Sequence, residues 1–250
     1  MEGSTSLLPS TKMEFAVEMR SPCCVGRVKN ALEGVKGVHS IDVDLATQRL
    51  VIEGDVLAET VRGTIEKETG MAAVLLGHGS AAQNLGAGVA AISIGNSGVK
   101  GLLRFVQVDP GTCFVEGAID KLPSSQPVFL TVHETGDVSD GCNSCGSLFR
   151  PADGSNNTFS GFLKELTPNT DKRAEFRVAL SNVQLSDIIG HCVVVHQGNH
   201  HDIEQGQSER LACGIVARAS GLFQNSKRFC ACDGVTIWEQ RHKDIESGKL

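Results

Sequence analysis

The run 100-KGLLRFVQVDPGTCFVEGAID-120 sets the fold of the larger part of the chain. Its two halves, KGLLRFVQV and CFVEGAI, alternate as half-buried strands do, and Asp109, Pro110 and Gly111 between them supply turn chemistry. The same texture runs from residue 89 to about 217, through VAAISI, VFLTVH, AEFRVAL, CVVVH and LACGIVAR, with almost no helical periodicity. Short strands without intervening helices predict an all-β sandwich or barrel. Its longest irregular section is 134–173, and loops of that length are usually functional or degenerate relics of function.

Upstream the texture differs. EFAVEM (14–19) alternates like a strand; from Cys24 the apolar Val25, Val28, Leu32 and Val35 recur at helical spacing, and Gly34 and Gly37 stop that helix. HSIDVDL and RLVIEG then read as a hairpin joined by ATQ, followed by a helical stretch, VLAETVRGTIEKETG, and a strand, MAAVLLG. Strand, helix, strand, strand, helix, strand is the ferredoxin-like order. The expected organisation is therefore multi-domain, α+β followed by all-β. A ferredoxin-like domain occupies 14–77, a linker 78–88 and a sandwich 89–217, and 218–250 is a short extended tail without a core of its own.

A chain of 250 residues, 40% of them hydrophobic, can bury two such cores. No apolar run approaches the roughly 20 residues of a membrane span, and the first residues lack a secretory signal. The expectation is a soluble, cytoplasmic protein with no membrane span. A net charge of −6 without a basic stripe excludes nonspecific nucleic-acid binding. Nine cysteines in a reducing compartment point to metal binding or thiol exchange, and an odd number cannot pair completely. Cys113 and Cys192 lie in strand patterns and read as small core residues. Cys142 and Cys145 form one Cys-x-x-Cys, a spacing used for zinc or for redox chemistry, but no second one exists to complete a zinc site. Cys230 and Cys232, in 228-RFCACDGVTIWEQ-240, stand at i and i+2 and so face the same way in an extended segment. They can present two thiolates to one soft ion, which favours Cu(I), or exchange with another protein's sulfur.

In the order 135-TGDVSDGCNSCG-146, 188-IIGHCVVVH-196 and 209-ERLACGIVAR-218, the sandwich resembles the copper/zinc superoxide dismutase family, of the Greek-key type. A ferredoxin-like heavy-metal-associated domain in front, and a Cys-x-Cys tail in 221-GLFQNSKRFCACDGVTIWEQR-241 behind, narrow the resemblance to that family's copper chaperones, over residues 14–241. It implies a metallochaperone that carries Cu(I) to copper/zinc superoxide dismutase and promotes the client's internal disulfide. Docking would form a heterodimer through the sandwich, which would be a homodimer when free.

The resemblance also assigns residues. It implies copper transfer and thiol exchange at Cys230 and Cys232, and a disulfide between Cys142 and Cys213; the Cys-x-x-Cys spacing then leaves Cys145 as an exchange thiol. The family's Met-x-Cys-x-x-Cys copper motif reads Met19-Arg20-Ser21-Pro22-Cys23-Cys24, so Ser replaces the first thiolate; copper binding at Cys23 and Cys24 stays open. His133 and His196 match copper-ligand positions, but Thr131 and Leu148 stand where other imidazoles would be, and no His lies between His133 and His191. Dismutase catalysis is therefore not expected, and neither is zinc, although Arg210 matches the family's anion-guiding arginine. The family's dimer face falls on Gly136, Asp137, Ile188, Gly190, Ile215 and Val216. Two alternatives remain open: a dismutase, and a dimerisation or redox protein that does without copper.

Overall fold

The computed structural model describes residues 10–80, 84–123, 126–150, 159–225 and 235–247. They fall into two compact units, one of residues 85–219 and one of residues up to 84 together with those from 220 onward.

The first unit contains β1 (Thr11–Val17), α1 (Pro22–Leu32), β2 (Val38–Asp44), β3 (Arg49–Gly54), α2 (Ala58–Thr69) and β4 (Ala73–Ser80). Its antiparallel sheet has the order β2-β3-β1-β4, the ferredoxin-like arrangement. Period-2 alternation along β1 sends Met13, Phe15 and Val17 to one face. They meet Val28 and Leu32, one turn apart on α1, and Val61 and Ile65, one turn apart on α2. Gly70, left-handed at φ 67°, ends α2, where its N–H bonds to the Glu66 carbonyl at 2.9 Å.

The tail departs from the extended form expected of it. Ile237–Glu246 is a helix, α5, opened by a capping box in which Thr236 and Glu239 exchange hydrogen bonds. Thr-x-x-Glu was the signal for it in the sequence.

The second unit holds β5 (Ala87–Ile92), β6 (Lys100–Asp109), β7 (Thr112–Asp120), β8 (Val128–Val132), β9 (Phe162–Leu166), β10 (Ala174–Ser181), β11 (Cys192–Gln197) and β12 (Glu209–Ala219). Two short helices, α3 (Leu185–Ile188) and α4 (His200–Glu204), join them. The strands form one antiparallel sheet, β10-β7-β6-β5-β12-β11-β8-β9, and its two edges approach each other as in a nearly closed barrel. Alternation turns Leu103 and Phe105 of β6, Val115 of β7, Leu130 and Val132 of β8, and Val193 and Val195 of β11 into one core. Truncating Phe105 to Ala there would cost about 3–5 kcal/mol. Strand β9 lies inside the section expected to be irregular. Its buried residues, Leu163 and Leu166, are three apart rather than two, which hides it from a search for alternation. Among the described residues no helix is long and apolar enough to cross a membrane.

Candidate metal and thiol sites

The start of α1 is built around Ser21. Pro22 stands in the first turn, and the Ser21 hydroxyl, which could cap the helix, makes no cap bond. It turns to sulfur, 2.9 Å from Cys23 Sγ and 3.4 Å from Cys24 Sγ. The hydroxyl beside Cys24, aided by backbone N–H groups, lowers its thiol pKa from the usual 9.0 to about 7. Ser21 thus removes one soft ligand while making the neighbouring thiol a better one. The two adjacent cysteines, which would diverge on a regular helix, converge on this one oxygen.

In the sandwich, His133 and His196 are buried and face each other, with Nε2 atoms 2.9 Å apart. Burial is the main reason that His133 is depressed to about 4 and His196 to about 3, so both rings are neutral at pH 7. Their tautomers follow from their other partners. A carbonyl only accepts, so His133 Nδ1–H donates to Gly146 O at 2.9 Å, which leaves Nε2 as a lone pair. His196 Nε2–H fills that lone pair, and the Ser208 hydroxyl donates to His196 Nδ1 at 2.7 Å. Thr131 Oγ1 stands 3.1 Å from the same His133 nitrogen, and Leu148 faces His133 across a β-bridge. Where the resemblance puts a copper site, two imidazoles bond to each other. Nor does Arg210 stand free: its guanidinium donates to the carbonyls of Cys142, Asn143 and Gly146 at 2.8, 3.3 and 2.7 Å.

Cys142 and Cys213 are joined by a disulfide, with Cα atoms 5.7 Å apart, linking the loop after β8 to β12. Cys113 is a buried core thiol, pushed up to about 12 by desolvation. The positions matched to the dimer face lie together. A Cβ on Gly136 would come within 2.0 Å of the Gly190 carbonyl and 3.5 Å of Ile215, and Gly190 N–H bonds to Val216 O at 2.8 Å. Asp137, Gly190 and Ile215 are exposed, whereas Ile188 and Val216 point into the core and support the patch from beneath.

Cys230 and Cys232 lie outside the described residues, but the chain before and after them is anchored to the ferredoxin-like domain. On the upstream side, Glu14 of β1, fully buried and paired with Arg49, accepts the Phe223 N–H at 2.7 Å, and Arg49 donates to Asn225 O at 3.2 Å. Gly77 of β4 lets the backbone pass: a Cβ there would meet the Gly221 carbonyl at 2.3 Å. On the downstream side, Arg241 of α5 makes a bidentate pair with Glu66 at 2.8 and 2.7 Å, and His242 bonds to Glu18 at 2.9 Å.

A family profile for the heavy-metal-associated domain matches residues 14–71, and one for copper/zinc superoxide dismutase matches residues 99–216. The copper chaperones for superoxide dismutase of Sus scrofa and Homo sapiens are each 39% identical to this chain, over 93% of it and 90% of the relative. The superoxide dismutase 1 copper chaperone of Saccharomyces cerevisiae is 28% identical over 91% of this chain and 92% of its own. The chain belongs to the copper chaperones for superoxide dismutase. These relatives are named as chaperones and not as enzymes.

For a member of the copper-chaperone family, sequence reasoning missed three things. The anchoring carboxylates Glu14, Glu18 and Glu66 lie on secondary structure far from the tail. The His133–His196 bond depends on pairing across β8 and β11. The contact of Cys145 with Cys192 joins a loop to a strand that read as core.

Proposed function

We propose that this chaperone binds Cu(I) on cysteine thiolates, docks through its sandwich on copper/zinc superoxide dismutase, delivers the ion and promotes the client's disulfide. One observation carries the reading: a dismutase scaffold in which the two histidines at copper-ligand positions, His133 and His196, satisfy each other. A fold kept in that state serves recognition rather than redox turnover, which needs a metal with open coordination. Cargo copper then falls to sulfur. Cys24, its thiol lowered to about 7 and so partly ionised at neutral pH, and the exposed Cys23 form the first donor set, and Cys230 and Cys232 form the second.

Disulfide promotion runs through the second pair. Once copper has left the pair, a two-electron oxidant such as dioxygen, itself reduced to hydrogen peroxide, joins Cys230 to Cys232; a client thiolate then attacks one sulfur and forms a mixed disulfide, and the client's second thiol resolves it. The client loses two electrons and two protons, and the tail pair gains them as two thiols. The cytoplasm is the proposed place of work, since a reducing compartment keeps the donor thiols free.

Docking is assigned to the patch of Gly136, Asp137, Gly190 and Ile215, which suits a self-complementary face that a second copy or the client can cover. Ile215→Glu should abolish heterodimer formation with the client, read by size-exclusion chromatography, with the fold unchanged by circular dichroism. Undiminished association would move the interface elsewhere.

A further inference from the structure

Beside the Cys142–Cys213 disulfide lie two free thiols that neither copper delivery nor client oxidation uses. Cys145 and Cys192 are both fully buried and share one cluster with Cys142, Cys213 and Val194, rimmed by Ile94 and Val138. Backbone pairing explains why they meet. Cys192 and Val194 share a face of β11, and Val194 stands opposite Cys213 of β12, so the sulfurs of Cys192 and Cys213 point to the same side. Cys145 ends the 3-10 turn that begins after Cys142. Thr135 then stitches the two together: its N–H bonds to Cys145 O at 3.1 Å, and its carbonyl accepts the Cys192 N–H at 2.9 Å. The two side chains pack together within that cluster.

We propose that this cluster holds a migrating disulfide, with Cys142–Cys213 and Cys145–Cys192 as its two alternative positions. The thiols are unequal in a way that suits exchange. The Cys192 thiol beside it, with the Arg210 charge nearby, holds Cys145 below the usual thiol range despite burial, and the same contact pushes Cys192 up, so that it keeps its proton. The Cys145 thiolate attacks Cys142 Sγ; a Cys142–Cys145 bond forms, the Cys142–Cys213 bond breaks, and its electron pair leaves on Cys213. The Cys192 proton passes to Cys213. The Cys192 thiolate then attacks Cys145 Sγ and releases Cys142 as a thiolate. One disulfide, one thiol and one thiolate stand on each side, so no oxidant is consumed. The result is a change of tether. The loop that carries Gly136 and Asp137 passes from a bond to β12 to a bond to β11.

The test uses the full chain equilibrated in glutathione buffers of several ratios, quenched in acid, alkylated and mapped by mass spectrometry after digestion. The expected result is two single-disulfide isomers of the sandwich whose ratio does not change with the glutathione ratio, because their exchange is redox-neutral. Cys192→Ser should lose the Cys145–Cys192 isomer and gain Cys142–Cys145, and Cys213→Ser should form Cys145–Cys192 under mild oxidation. If Cys142–Cys213 is the only sandwich linkage at every ratio, with Cys145 and Cys192 always alkylated, migration is overturned. That wild-type measurement decides the matter even where a variant fails to fold.

Discussion

A hydroxyl in place of a thiol changes the chemistry of the residue beside it. Ser21 lowers the pKa of Cys24, so Cys24 in a Cys23→Ser background should alkylate with a midpoint near pH 7, and Ser21→Ala should move that midpoint toward 9.0. An unchanged midpoint would mean that the hydroxyl is not the cause. The buried histidine pair makes an acid-stability prediction. Each folded-state pKa lies below the usual 6.5, so the unfolded chain binds protons that the folded one does not. The stabilisation is complete above pH 6.5 and is lost as pH falls toward the folded values, by up to about 1.4 kcal/mol per pH unit per histidine. Denaturant titrations between pH 7 and pH 4.5 should show that slope, and replacing both histidines with Asn should flatten it. Equal slopes in both proteins would show that other groups dominate. At this scale the sequence disclosed which residues were unusual. What Ser21 and Thr131 do was not legible, since their bonds to Cys24 and His133 depend on backbone geometry.

Most elements were legible from local pattern alone. Val28 with Leu32 and Val61 with Ile65 mark their helices by spacing, the alternation around Leu103 and Phe105 marks β6, and the short apolar run of β11 marks that strand. The docking of the tail was not, because it rests on contacts such as Arg241 with Glu66, 175 residues apart, which no local period encodes. Two changes test that docking. Gly77→Ala puts a methyl group against the Gly221 carbonyl, and Arg241→Ala removes two charge-assisted hydrogen bonds, worth roughly 1.5–3 kcal/mol each at most and less where they overlap. Amide exchange should quicken at 221–225 in the first variant and at 237–246 in the second, while β1 and β3 keep their protection. Unchanged exchange in both would show that the tail is held by other contacts.

For the whole molecule, three pieces with separate tasks were readable as a sequence. A ferredoxin-like unit carries a helix-start thiol, a dismutase-type sandwich has had its imidazoles thinned out, and a Cys-x-Cys stands behind them. The order of these pieces points to the function more strongly than any single motif, because a lone Cys-x-Cys or a lone sandwich has many uses. The central claim is that copper delivery and client oxidation run through Cys230 and Cys232. It is tested most directly by client dismutase activity and client disulfide state, measured under reducing conditions with limiting copper. Cys230→Ser with Cys232→Ser should leave folding and heterodimer formation intact and abolish client activation. Full activation by that double variant would contradict the account.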